Sequence, residues 1–145
     1  MSRSLSSGDL AIHVSLVCTE SLLPHEMTQA DRLSKLLREI REDGFLKVPI
    51  LVDAKTGTVL DGHHRLEALR RLGTHLVPAA LVDYDSPDVI VTPRRVDVPV
   101  SKAEVRRAAI SGELMPPKTT RHALPIDPPE MDVPLRDLML GRCEE

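Results

Sequence analysis

The apolar positions change period several times along the chain, and each change marks an element. Leu33, Leu36, Leu37 and Ile40 fall at i, i+3, i+4 and i+7, the stripe of an amphipathic helix. Thr28 is its expected N-cap, with Asp31 three positions on, and Gly44 is its stop. Val48 to Val52 and Thr58 to Leu60 are short apolar runs on either side of the turn Lys55-Thr56-Gly57, which predicts a hairpin. Asp61-Gly62 closes it, and a second helix starts near His63 or His64, with Leu66, Leu69 and Leu72 inward and Gly73 at its end. Leu16-Val17, Val77 to Val82 and the weaker Val89 to Val91 read as further strands. Ser101 with Glu104 forms a capping box for a third helix that ends at Gly112. Helices alternating with short strands give an α/β (α+β) domain, a small mixed sheet with flanking helices.

Three stretches fall outside this pattern. The Ser-rich start, within residues 1–14, reads as a flexible N-terminus. Residues 116–122 read as an ordered loop, stiffened by Pro116 and Pro117. From residue 125 onward, prolines at 125, 128, 129 and 134 predict an extended or partly disordered tail, 125–145. The domain itself is then residues 15–124. Hydrophobic residues make up 41% of the 145, a little under the globular norm of about 45–50%, as one domain with an extended portion should.

Composition removes several functions. One Phe, one Tyr and no Trp leave nothing from which to build a row of stacking rings for single-stranded nucleic acid. Nineteen Lys and Arg against 22 Asp and Glu, net −3, is not the basic excess of a duplex-DNA footprint. Cys18 and Cys143 show no metal-ligand spacing and read as free thiols in a reducing compartment. No apolar run approaches the length of a membrane span. The chain therefore reads as soluble and cytoplasmic, with nucleic acid an unlikely partner.

The sharpest chemical signal is Asp61-Gly62-His63-His64-Arg65. A strand, a Gly turn and a helix N-terminus together offer unpaired backbone N–H groups and partial positive charge, an anion site. Gly62 lets the backbone approach a phosphate, and His63, His64 and Arg65 add side-chain donors, Arg65 as a two-point grip. Side chains of that sign oppose the helix dipole, and such local conflicts tend to mark functional sites. The bland alternative is a solvated polar first turn.

This motif resembles the phosphate-binding motif of the ParB/sulfiredoxin superfamily. Sulfiredoxins carry a catalytic Cys after the Gly, where this chain has His63, and ParB partition proteins continue into a helix-turn-helix that 145 residues leave little room for. The chain is most similar to the free L-serine kinase branch. Four stretches carry the likeness: Leu23-Pro24-His25-Glu26, the segment 44–50, Asp61 to Arg65, and the segment 112–122 ending in Lys118-Thr119-Thr120-Arg121-His122. Together they cover roughly residues 15–124. Members of that branch are longer than this chain.

The resemblance implies a kinase that moves a phosphoryl group from ATP or ADP to the hydroxyl of free L-serine, with Mg²⁺ as cofactor. It implies Glu26 as base, His25 beside it at the substrate, and Gly62, His63, His64 and Arg65 at the phosphates. Asp61, at a strand end, suits the Mg²⁺ side, although a turn or N-cap Asp is equally natural before Gly. Lys118, Thr119, Thr120, Arg121 and His122 become the amino-acid clamp, and a nucleobase would rest on aliphatic side chains. His13 and His75 read as structural. Two rivals stand beside this reading: a ParB-like nucleotide-binding regulator or DNA-associated module, for which Arg94-Arg95 and Arg106-Arg107 would supply a basic patch, and a degenerate kinase fold that senses a metabolite.

Overall fold

A computed structural model describes residues 2–7 and 10–143. Its centre is a five-stranded sheet in the order β1-β2-β6-β4-β5, from β1 (Ser2–Ser7), β2 (Leu10–Cys18), β4 (Ile50–Asp53), β5 (Val59–Asp61) and β6 (Leu76–Val82). β4 and β5 are the hairpin expected from the sequence, with a register irregularity between Leu51 and Val52. β6 runs parallel to β4 and antiparallel to β2, so the chain must cross over between β5 and β6. Helix α2 (His63–Arg71) makes that crossover. It packs on α1 (Ala30–Asp43) through Leu66 and Leu69, which are buried with Leu33 and Ile40 in the same core.

α1 starts two residues later than its predicted cap. Gln29, not Thr28, is the N-cap, and no side chain caps the helix. Its end agrees with the sequence: Gly44 adopts φ 71° and donates to the Ile40 carbonyl. α3 (Lys102–Ser111) agrees at both ends, with the Ser101 hydroxyl accepting from Glu104 N–H and Gly112 closing in the left-handed region. β7 (Ile90–Pro93) pairs with β8 (Thr120–Ala123) as an antiparallel ribbon. Residues 120–122, expected in a loop, are therefore strand, and this ribbon carries one wall of the site.

Three expectations are corrected. Within the segment read as flexible, residues 1, 8 and 9 lie outside the described residues, but Ser2–Ser7 pairs with β2 along its whole length. The proline-rich tail is packed. β9 (Val133–Pro134) pairs with β3 (Phe45–Leu46), and α4 (Leu135–Leu140) follows it. Met131, Val133 and Leu138 are buried, and the tail backbone bonds to Lys47, Gly44 and His75. Those three apolar residues sit one or two positions from prolines and acids, so no period announced them. Finally, Cys18 and Cys143 are not free thiols but a disulfide, Cα–Cα 5.4 Å, tying the chain's end to the last residue of β2. Among the described residues no helix is long and apolar enough to cross a membrane.

Candidate active site

The loop between β2 and α1 is threaded through the middle of the fold. Leu23 bonds to Gly57 and Val59 on one side, and His25 and Met27 bond to both backbone groups of Met115 on the other. This fixes His25 and Glu26 between β5 and the segment leading into β8. His25 is fully buried. Its Nδ1 lies 2.6 Å from the Val59 carbonyl and its Nε2 2.8 Å from Thr120 Oγ1. A residue so enclosed touches no substrate, and the substrate contact expected of His25 is withdrawn.

Glu26 is the one carboxylate held inside this frame. Its Oε1 accepts from Lys118 N–H at 3.0 Å, and its Oε2 accepts from Thr120 N–H at 2.9 Å and from Thr120 Oγ1 at 2.6 Å. Burial pushes the Glu26 carboxyl up, but the nearby His25 ring, 3.5 Å away, and the hydrogen bonds from Thr120 outweigh it and hold the group down at about 2. A carboxylate has about four acceptor positions. Three are filled, and the remaining one, on Oε1, is what a ligand hydroxyl can use.

Helix α2 begins at Gly62 with φ 102°, where an added Cβ would lie 2.6 Å from Ile50 Cγ2 and 2.9 Å from Arg65 Nη2. Only glycine fits that turn. The two histidines after it do something the sequence did not indicate. His63 Nε2 accepts from the backbone N–H of His25 at 3.1 Å and of Glu26 at 3.3 Å, and His64 Nε2 accepts from Gln29 N–H at 2.9 Å. Both rings are acceptors at Nε2 and pin the Glu26 loop to the helix. Burial, with the neighbouring His25 ring, holds His63 down at about 3. His64 is lowered by burial and by Arg32. Their expected role as cationic phosphate donors is corrected accordingly: each is neutral. Arg65 is corrected in part. Its Nη1 donates to the Val48 and Pro49 carbonyls, leaving Nη2, 3.9 Å from Asp61, as the open part of the fork.

A cavity of about 310 Å³ opens over this helix end. Glu26 and Thr120 form its floor, and Lys118, Arg32, Arg65 and Arg94 bring four cations to its walls. Asp61, 73% exposed at the side chain, stands at its rim. Arg32 and Arg94 were not singled out for this site from the sequence. Arg32 is an unremarkable polar position on α1, and Arg94 reaches the cavity only because its N–H bonds to the Thr119 carbonyl beside β8.

The expected clamp divides. Lys118 and Thr120 are at the cavity. Thr119 is fully buried with its hydroxyl on the Pro116 carbonyl, so it closes the loop. Arg121 and His122 follow the strand alternation of β8. Arg121 is exposed on the face away from Thr120. His122 turns inward to Tyr84, Nε2 to Oη 2.8 Å, and burial holds it down at about 3. Of the second arginine pair, Arg106 bonds Asp85 and the buried Asp53, and Arg107 bonds Glu104, so neither is an unpaired cation. Among the described residues no group of three His, Cys, Asp or Glu forms a metal cage. A lone rim carboxylate such as Asp61 does fit a Mg²⁺ ion carried mainly by a nucleotide's own phosphates.

Residues 2–92 match the ParB N-terminal domain family. An ATP-dependent L-serine kinase from Staphylothermus marinus is 41% identical over 73 residues, 48% of this chain and 29% of that protein. Another, from Desulfurococcus mucosus, is 36% identical over 78 residues, 51% and 31% of the two chains. The matched stretches thus span under a third of either kinase. Among solved structures, a free serine kinase in complex with AMP has a TM-score of 0.78 at 19% identity, covering 86% of this chain and 93% of that one. At that identity the likeness shows the fold.

Proposed function

The chain belongs to the ParB N-terminal domain family, and within it we propose that this protein is a phosphotransferase that converts free L-serine to O-phospho-L-serine with ATP or ADP as donor. The observation that carries the reading is Glu26: an ionised carboxylate with one acceptor position left, on the floor of a cavity whose walls are cationic. A nucleotide-binding regulator needs the cations but has no use for a buried carboxylate aimed among them. The relatives named as L-serine kinases supply the acceptor.

In this reading the terminal phosphates lie against the first-turn N–H groups of α2, with Arg32, Arg65 Nη2, Arg94 and Lys118 neutralising their charge. The nucleoside end has a natural place across Arg65. There a second cavity of about 380 Å³ is bounded by Val48, Leu51, Leu124 and Ile126, aliphatic surfaces that suit a flat base. Serine enters beside Glu26. The free Oε1 position accepts the serine hydroxyl hydrogen and aims the oxygen at phosphorus. The new O–P bond forms as the bond to the leaving nucleotide oxygen breaks, and the hydroxyl proton passes to Glu26 late in the transfer, as a loose transition state allows. Mg²⁺, when bound beside Asp61, would neutralise developing charge on the phosphates.

Incubation of the protein with Mg²⁺, L-serine and ATP or ADP, followed by ³¹P NMR and mass spectrometry, tests the reading. Phosphoserine in amounts exceeding enzyme is expected. Nucleotide binding without phosphoserine from either donor would refute it in favour of the regulator.

A further inference from the structure

The hydrogen bonds behind Glu26 can be counted, and the count is one hydrogen short. The Val59 carbonyl only accepts, so the 2.6 Å contact fixes a hydrogen on His25 Nδ1. Thr120 Oγ1 lies 2.6 Å from Glu26 Oε2 and 2.8 Å from His25 Nε2, yet its hydroxyl has a single hydrogen. If that hydrogen points to the carboxylate, Nε2 must bring its own. If it points to Nε2, the carboxyl must be protonated. Glu26 already takes a backbone N–H on each oxygen, and hydrogen bonds donated to a carboxyl group favour its ionised form. The extra hydrogen therefore belongs on the imidazole.

We propose that His25 and Thr120 are positioning residues for the transfer step: Thr120 aims Glu26 by its hydroxyl, and His25, carrying hydrogens on both ring nitrogens, is the buried cation that keeps the carboxylate ionised. This rests on the reading of Glu26 as the group that receives the serine hydroxyl. The surroundings agree. His25 Nε2 is 3.5 Å from Glu26 Oε2. The rings of His63 and His122 stand edge-on to His25 with centroids at 4.5 and 5.8 Å. Glu26 is faced by His63 and His64 from α2, by Lys118 and Thr120 from the β8 side, and by Arg32 and Arg94 across the cavity. None of the others donates a side-chain hydrogen bond to it, so beside the backbone N–H groups of Lys118 and Thr120 the side chains that set its direction are Thr120 and, behind it, His25.

Two measurements decide this, and neither needs turnover. In the unmutated protein, ¹⁵N shifts of the His25 ring should show both nitrogens protonated at neutral pH, whereas a neutral Nδ1–H ring overturns the proposal. The side-chain ¹³C signal of Glu26 should titrate as low in Thr120→Ser as in the parent, and about one unit or more higher in Thr120→Val. The acid limb of phosphoserine formation should rise with it, and kcat should fall while KM for nucleotide holds. An unmoved Glu26 midpoint in Thr120→Val overturns the proposal, and if that variant does not fold the His25 measurement stands alone. Both NMR signatures without phosphoserine formation would refute the kinase reading and leave the arrangement of the three residues standing.

Discussion

His63→Gln tests whether α2 grips the Glu26 loop through a neutral ring. The ring is buried, accepts two backbone N–H groups at Nε2, and titrates at about 3 against an ordinary 6.5. A histidine depressed on folding binds its proton in the unfolded chain first. Its contribution to stability is thus fully present above 6.5 and is lost as pH falls from there toward 3. At about pH 5.5 roughly ten of eleven unfolded rings are protonated and almost no folded ones are. The loss between about pH 7.5 and about pH 5.5 is then about 1.4 kcal/mol, and it does not depend on where below 5 the folded value lies. Glutamine offers an acceptor oxygen but does not titrate. Urea unfolding of both proteins at the two pH values should show the gap between parent and variant shift by about 1.4 kcal/mol in the variant's favour on acidification. At usual urea slopes that is on the order of 1 M in midpoint difference. A gap that stays constant would mean the ring is protonated or solvated in the native state, and the loop anchor would be wrong.

Lys118 has φ 57°, the left-handed region, so Lys118→Gly should leave stability within about 1 kcal/mol of the parent. The same change should weaken nucleotide triphosphate binding about 5-fold or more by calorimetry, and equal affinity would remove Lys118 from the phosphate site. Asp61→Asn should act with opposite signs, because the rim carboxylate repels bare phosphates and attracts Mg²⁺. Affinity should rise a few-fold in chelator and fall in Mg²⁺, and the same sign in both would exclude the metal-side role. Reducing Cys18–Cys143, which closes a separation of 125 residues, should cost about 2–5 kcal/mol in denaturant unfolding. An unchanged midpoint would show that the tail stays docked without it.

What the sequence conveyed depended on whether a residue's role is local. The α1 stripe, the β4–β5 hairpin, the Ser101 cap of α3 and the Gly62 turn are each decided within a few residues, and each was placed correctly. Glu26, Asp61 and the 118–122 stretch are found through motif resemblance, and the structure brings Lys118 and Thr120 within hydrogen-bond range of Glu26. Contacts of long sequence separation were not legible. Nothing near residue 133 announces a strand partner at residue 46, and nothing in two isolated cysteines announces a pair. The division of the clamp had a readable cause, since β8 alternation sends Arg121 outward and Thr120 inward. That division was missed because two prolines ahead of the segment suggested a loop.

The conflict of sign at the start of α2 shows how much of the chemistry is set by hydrogen-bond direction and how little by residue type. Two histidines and an arginine there oppose the helix dipole if all are cations. With His63 and His64 neutral at Nε2, and Arg65 Nη1 turned back to the Val48 and Pro49 carbonyls, most of that opposition disappears. The field at the helix end is left to a ligand and to the cations on other elements, Arg32, Arg94 and Lys118. One turn of helix then has two tasks with the same atoms. Its first-turn residues line the cavity, and its imidazoles hold the loop that carries Glu26. A substitution at His63 or His64 that looks like lost phosphate affinity will therefore also displace the carboxylate. Only a variant such as Lys118→Gly, whose side chain makes no loop-anchoring bond, separates phosphate binding from the placement of Glu26.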